Sequence, residues 1–206
     1  MTPLILILVS YLIGSLSFAV IVSKASGLAD PRSYGSGNPG ATNVLRSGNK
    51  KAALLTLLGD ALKGWLAIVL AQVAASYLGL GPEVIAMAAV AVTVGHMWPV
   101  FFSFKGGKGV ATAAGILLAL DWRVGLLTLL LWLVVAKGMK ISSLAALLAA
   151  LLAPVLAWIW LPSSAQITAV VVISLLLIWR HERNIRDLLT GKEGSIGEKA
   201  SGASKE

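Results

Sequence analysis

Apolar residues in this chain come in long unbroken blocks, and the polar residues are gathered between the blocks. Leu4 to Ser23, Val84 to Phe104 and Ile141 to Leu161 carry no Asp, Glu, Lys or Arg. At about 1.5 Å per helical residue each is long enough to cross a hydrocarbon core of roughly 30 Å. Ser163 to Trp179 is slightly shorter, and Ala52 to Leu78 is longer but interrupted by Asp60 and Lys63. The pattern predicts an all-α, polytopic membrane protein.

Gly109 to Ala136 admits two readings, because its apolar runs of 12 and 13 residues are separated by Asp121, Trp122 and Arg123. One long tilted helix there gives six spans, and a hairpin of two short helices gives seven. Charge placement decides between them. With the hairpin, Lys24 to Lys51, Lys105 to Lys108, Lys137 to Lys140 and everything from Arg180 onward share one side, which then holds 15 of the 17 basic residues. The single-helix reading moves Lys137, Lys140 and the run Arg180, Arg183, Arg186 to the outside, against the positive-inside tendency. Seven transmembrane helices, two of them short, with the N-terminus out and the C-terminus cytoplasmic, are therefore expected. No basic residue precedes the first apolar run, so a cleaved secretory signal is not expected. From Lys192 to residue 206 the chain is polar and rich in Gly and Ser, and is expected to be a disordered tail.

Composition removes several chemistries. Charged residues make up 13% of the chain, about half the roughly 25% of a soluble domain, and mean hydropathy is +0.86. With no cysteine, disulfides, zinc–thiolate sites and thiol nucleophiles are excluded, and two histidines do not make a multi-histidine metal centre. The net charge of +8 suits cytoplasmic loops, anionic lipid or an anionic substrate.

Three polar segments fall together on the cytoplasmic side of this topology. In Gly35 to Arg46, glycines alternate with Ser36, Asn38, Thr42 and Asn43, a backbone able to turn several N–H groups into one phosphate nest, with Arg46 as a bidentate partner. A plain glycine-rich linker is the competing reading. In His96 to Thr112, Lys105-Gly106-Gly107-Lys108-Gly109 runs into the start of an apolar helix, where free N–H groups and the helix dipole favour a phosphate. Gly109 stands where a Walker A loop needs Ser or Thr, so nucleotide hydrolysis is unsupported, and snorkelling lysines are the competing reading. The third segment, Arg180 to Glu193, is expected to continue the last span as a helix with His181, Asn184 and Leu188 on one face, a suitable surface for acid–base or oxyanion work. The competing reading is a basic helix lying on lipid. Asp60 and Lys63 either brace the fold or floor the site. His96 is open to a helix–helix hydrogen bond, and Ser142 and Ser143 are assigned to capping ahead of substrate contact.

The strings G-S-G-N-P-G-A-T-N-V-L-R, G-H-M-W-P-V-F-F-S-F-K-G-G-K-G-V-A-T and H-E-R-N-I-R-D-L-L-T-G-K-E resemble the three signature motifs of the bacterial integral-membrane acyl-phosphate:glycerol-3-phosphate acyltransferases. G-D-A-L-K-G in the second span is similar to a further segment of that family. The resemblance implies one integral-membrane acyltransferase domain over residues 1–191, in a bacterial cell membrane. It implies transfer of a fatty acyl group from acyl-phosphate to the sn-1 hydroxyl of glycerol 3-phosphate, giving lysophosphatidic acid and phosphate. No metal or other cofactor, nucleic acid or obligate protein partner is expected; membrane lipid is the surroundings. Phe101 and Arg186 stand five residues after the two histidines, so the His-x-x-x-x-Asp arrangement of other acyltransferases is missing.

By that resemblance Ser36, Arg46, His181 and Asn184 serve catalysis, while Gly37, Asn38, Thr42 and Asn43 bind substrate. Lys105, Gly106, Gly107, Lys108 and Gly109 form the glycerol 3-phosphate site. Direct transfer without an acyl-enzyme is expected, since no base adjoins Ser36 in sequence. A transporter of a phosphorylated solute is the alternative, weakened because the two glycine-rich loops share only Ala-Thr and show no inverted repeat.

Overall fold

The computed structural model describes residues 2–198. Ten α-helices follow in order: α1 (Thr2–Gly14), α2 (Phe18–Ala25), α3 (Ala41–Leu45), α4 (Lys50–Leu78), α5 (Pro82–Met97), α6 (Val110–Leu120), α7 (Trp122–Met139), α8 (Ser142–Trp160), α9 (Ser164–Arg180) and α10 (Glu182–Leu189). No strand occurs among the described residues. By length and apolarity α4, α5 with its 3-10 extension, α7 and α8 are able to cross a membrane, and counting the bent pairs α1/α2 and α9/α10 as single spans raises this to six.

The burial pattern is that of a protein solvated by lipid. Leu8, Leu58, Leu62, Leu151 and Leu175 are more than half exposed, while Ser15, Thr56, Asp60, Lys63, Thr93, His96 and Thr112 are buried. Large aliphatics face outward and small or polar residues face inward, as expected where helices associate through close packing and polar contacts. Gly64 and Gly115 bring α4 and α6 together: a Cβ on Gly64 would lie 2.3 Å from the Thr112 carbonyl oxygen, and one on Gly115 would lie 1.9 Å from that of Ala61. α1 meets α5 the same way, with Gly14 against Val92 and Gly95 against Tyr11.

Three features differ from the sequence reading. The first apolar block bends by 41° at Ser15-Leu16-Ser17. The Leu16 carbonyl at this break accepts a hydrogen bond of 2.6 Å from Lys63 Nζ. The Gly109 to Ala136 region is a helical hairpin turning at Asp121, whose carboxylate accepts from the Arg123 N–H at 2.8 Å. Only α6, with 11 residues, is short; α7 takes in Lys137, Gly138 and Met139 and reaches 18. The tail expectation also changes. Residues 192–198 fold back onto the helices: the Ile196 N–H donates to the Lys140 carbonyl at 2.7 Å, and Glu193 is bound by two side chains. Residues 199–206 lie outside the described residues.

A side chain at Gly115 is expected to separate α4 from α6. Gly115→Val should cost about 1–3 kcal/mol, the usual cost of overpacking. Gly138→Ala, with nothing within 4 Å of its Cβ, should leave Tm in detergent unchanged or slightly raised. Equal Tm for the two variants would refute this packing account.

Candidate active site

The three polar segments meet where α4, α6, α8 and α9 end on one side of the bundle. A pocket there is lined by Gly35, Ser36, Arg46, Lys108, Arg183, Asn184, Asp187, Lys192, Glu193, Gly194 and Glu198. It opens into a second cavity of about 390 Å³, walled by α4, α6, α7, α8 and α9 and sharing Ser36, Arg46, Lys108, Asn184 and Glu193 with the first. Four alanines of α8, Ala146, Ala149, Ala150 and Ala153, leave the space, and Ile173 and Leu177 of α9 face them. A polar chamber lined by four basic and three acidic side chains thus joins an apolar channel.

Each polar segment is held differently from what its glycines suggest. In the first loop Asn43 is the organiser: its amide donates to the Pro31 carbonyl at 2.6 Å and the Tyr34 carbonyl at 3.1 Å, and its oxygen accepts from the Ser36 N–H at 3.1 Å. The Gly37 N–H is spent on the Tyr34 carbonyl and the Asn38 N–H on Ser36 Oγ. The amides of Ser36, Gly37 and Asn38 are therefore not free to form the expected nest, and the loop offers side chains as well. Arg46 Nε is buried without an acceptor among the described residues. Asn38, Thr42 and Asn43 line the channel, and Gly37 lines neither chamber.

The Lys105 to Gly109 segment divides. Lys105 is exposed and lines neither chamber, so the structure does not bring it to the site. The N–H groups of Gly106 and Gly107 donate to the Met97 and His96 carbonyls at 3.2 Å each. Their carbonyls accept from Arg180, at 3.0 Å for Gly106 and 3.3 Å for Gly107. These two glycines are required for close approach, since a Cβ would lie 2.1 Å from the His96 carbonyl oxygen at Gly106 and 2.3 Å from His96 Nε2 at Gly107. Gly109, at φ +90°, turns the chain into α6, whose first turn has no side-chain cap. The free amides that remain are those of the α6 N-terminus, beside Lys108.

The last span breaks by 57° at His181 rather than continuing straight. His181 is buried, and Nδ1 lies 2.7 Å from the Leu177 carbonyl. A carbonyl only accepts, so Nδ1 carries the proton and Nε2 is left with its lone pair. One turn on, Asn184 Oδ1 accepts from Lys108 Nζ, and its amide donates to Glu193 Oε1 at 2.7 Å. Ser143 Oγ donates to the same Glu193 oxygen at 2.6 Å. Ser143 is thus a site residue and not a cap; the α8 N-terminus has no side-chain cap. Glu193 closes the third motif, but its residue type alone gives it no role, because that role depends on the tail folding back.

Burial pushes the Lys108 ammonium down to about 8, with repulsion from Arg180, Arg46 and Arg183 adding to the effect and the Glu193 carboxylate opposing it. An anion entering among these cations gains charge-assisted hydrogen bonds in a site partly shielded from water.

Such a chamber above an apolar channel, in an all-helical membrane protein, is a site for an amphiphile with an acidic head. The family model described as glycerol-3-phosphate acyltransferase matches residues 4–191, and the chain belongs to that family. A glycerol-3-phosphate acyltransferase of Neisseria meningitidis serogroup C / serotype 2a is 63% identical over 191 residues, 93% of this chain and 96% of that protein. One from Thiobacillus denitrificans is 56% identical over 97% of this chain and its own full length. The crystal structure of PlsY (YgiH), an integral membrane glycerol 3-phosphate acyltransferase, in its glycerol 3-phosphate form shares 38% identity with a TM-score of 0.88, covering 96% of each chain.

Lys108→Ala is expected to weaken binding of inorganic phosphate about tenfold, equivalent to about 1.4 kcal/mol and near the low end for a hydrogen bond to a charged group. Lys105→Ala should change it less than about twofold, as for an exposed charge. Titration calorimetry on both variants checks this, and equal losses would contradict the placement.

Proposed function

We propose that this chain transfers a fatty acyl group from acyl-phosphate to the sn-1 hydroxyl of glycerol 3-phosphate, releasing lysophosphatidic acid and phosphate. The observation that carries this reading is the junction at Ser36, Arg46, Lys108 and Asn184, common to the polar chamber and the apolar channel. A phosphorylated head and an acyl chain meet there, and an acceptor with its own phosphate fits the cations that remain.

Acyl-phosphate is already activated, so positioning and charge stabilisation suffice. The hydroxyl oxygen of glycerol 3-phosphate attacks the acyl carbon, the bond from that carbon to the phosphate oxygen breaks, and the hydroxyl proton ends on the departing phosphate, directly or through His181 Nε2. Arg46, Lys108 and the first amides of α6 stabilise the phosphates and the developing oxyanion. Asn184, oriented by Glu193, holds the Lys108 ammonium, and Ser36 contacts substrate. A covalent role for Ser36 finds no support, since among the described residues its Oγ is bonded only by the Asn38 N–H. The reading treats residues 1–191 as one catalytic domain crossing the membrane seven times, N-terminus out, with Glu193 of the following segment completing a site on the cytoplasmic side that carries most basic residues.

Purified protein given acyl-phosphate and glycerol 3-phosphate is expected to release one phosphate per lysophosphatidic acid. No release, together with uptake of a phosphorylated solute into liposomes, would replace this reading by a transporter. The charged form of Lys108 binds phosphate, so kcat/KM for glycerol 3-phosphate should be fully developed below pH about 8 and fall as pH rises through it. Lys108→Arg should move that limb to higher pH; an unmoved limb would assign it to another group.

A further inference from the structure

The buried ion pair of α4 takes no part in the chemistry just described. Asp60 and Lys63 are each 3% exposed and lie 2.8 Å apart. Replacing such a pair by apolar residues is often neutral for stability, so packing alone does not account for it. Each member also reaches out of its helix. Lys63 holds the Leu16 carbonyl at the α1/α2 break. Asp60 Oδ1 lies 3.6 Å from His96 Nδ1, and the same nitrogen lies 3.2 Å from Thr112 Oγ1.

His96 grips both ends of the segment that presents the phosphate donors. Its carbonyl accepts the Gly107 N–H, and its ring lies so close to Gly107 that no Cβ fits. Thr112, fully buried, is in the first turn of α6. Between them lie Lys108 and the free amides of Gly109, Val110 and Ala111. On the opposite side Arg180, stacked 5.7 Å over the Trp98 ring, ties down the Gly106 and Gly107 carbonyls. Among the described residues the carboxylate facing His96 is that of Asp60.

We propose that Asp60 is a positioning residue of the phosphate site: its buried carboxylate, facing the Nδ1 edge of His96 at ion-pair distance, fixes the ring that sets the turn from Gly107 to Thr112, and with it the aim of Lys108 and the α6 N-terminus. The inference rests on the reading that these donors hold a substrate phosphate. Lys63 keeps the carboxylate neutralised at this depth and fastens it to the broken first span.

The test uses the full-length protein purified in detergent, with KM for glycerol 3-phosphate, the inhibition constant of inorganic phosphate and Tm all measured. Asp60→Asn/Lys63→Gln removes both charges, so no uncompensated ion is left buried. The double variant is expected to keep a Tm near that of the unaltered protein while KM and the inhibition constant rise about tenfold or more, the scale of a small misplacement of binding groups. Unchanged KM and inhibition constant overturn the proposal, because a pair that only braces the fold would move Tm or the active fraction instead.

Should the double variant fail to accumulate, Asp60→Glu, which keeps the charge beside Lys63 but shifts the carboxylate against His96, is read in its place: a rise in both constants supports the proposal and no rise overturns it. Lys108→Ala separates the two levels. If it raises the inhibition constant and the positioning variants do not, only the positioning role falls. If it changes nothing, the phosphate-site reading fails and the positioning role with it.

Discussion

The site depends on one short helix being held at a fixed depth. α6 has 11 residues, about 16 Å at the helical rise, against a hydrocarbon core of roughly 30 Å. One end of it must therefore begin well inside the bundle. The Gly64 and Gly115 contacts lock it against α4, and the clamped glycine turn delivers the chain to its first residue. A helix start carries unpaired amides and a partial positive charge. Placed below the polar surface, that charge stands at the mouth of the acyl channel, where a water-soluble phosphate and a lipid chain can share one reaction centre.

Gathering cations at this depth has an energetic cost, and the structure offsets it locally. Lys108 is bound by Asn184, Asn184 is oriented by Glu193, and Glu193 also receives Ser143. This chain of contacts decides which way the Asn184 amide faces, because an ammonium only donates and a carboxylate only accepts. It also explains why residues 192–198 are part of the site. A segment that looks like a solvated tail supplies a carboxylate bound by both α10 and the start of α8.

Much of this was legible in the sequence. The apolar blocks marked the helices, the Asp121-Trp122-Arg123 interruption marked the hairpin, and the motifs around Ser36, Lys108 and His181 marked the segments that meet. Residue type and spacing could not show how the glycines are used. Gly106 and Gly107 suggested an open phosphate nest, yet their amides are bonded within the turn and the two residues serve close packing against His96. Lys105 and Lys108 stand in similar local sequence, three residues apart, and only the direction of the turn sends one outward and the other into the chamber. The break at His181 was equally hidden, since an apolar run followed by charged residues reads as a straight helix. For Lys108 the deciding contact, with Asn184, joins residues far apart in the chain.

The central claim is that the acyl group passes directly between two phosphate-bearing substrates held at the junction, with no acyl-enzyme. Acid-quenched mixing of the protein with labelled acyl-phosphate, before any glycerol 3-phosphate is added, tests this most directly when followed by mass spectrometry of the intact chain and its peptides. The account predicts that the chain stays unmodified and that label reaches lysophosphatidic acid in a single exponential once glycerol 3-phosphate is supplied. Label trapped on Ser36, and chased into product at the rate of turnover, would contradict it.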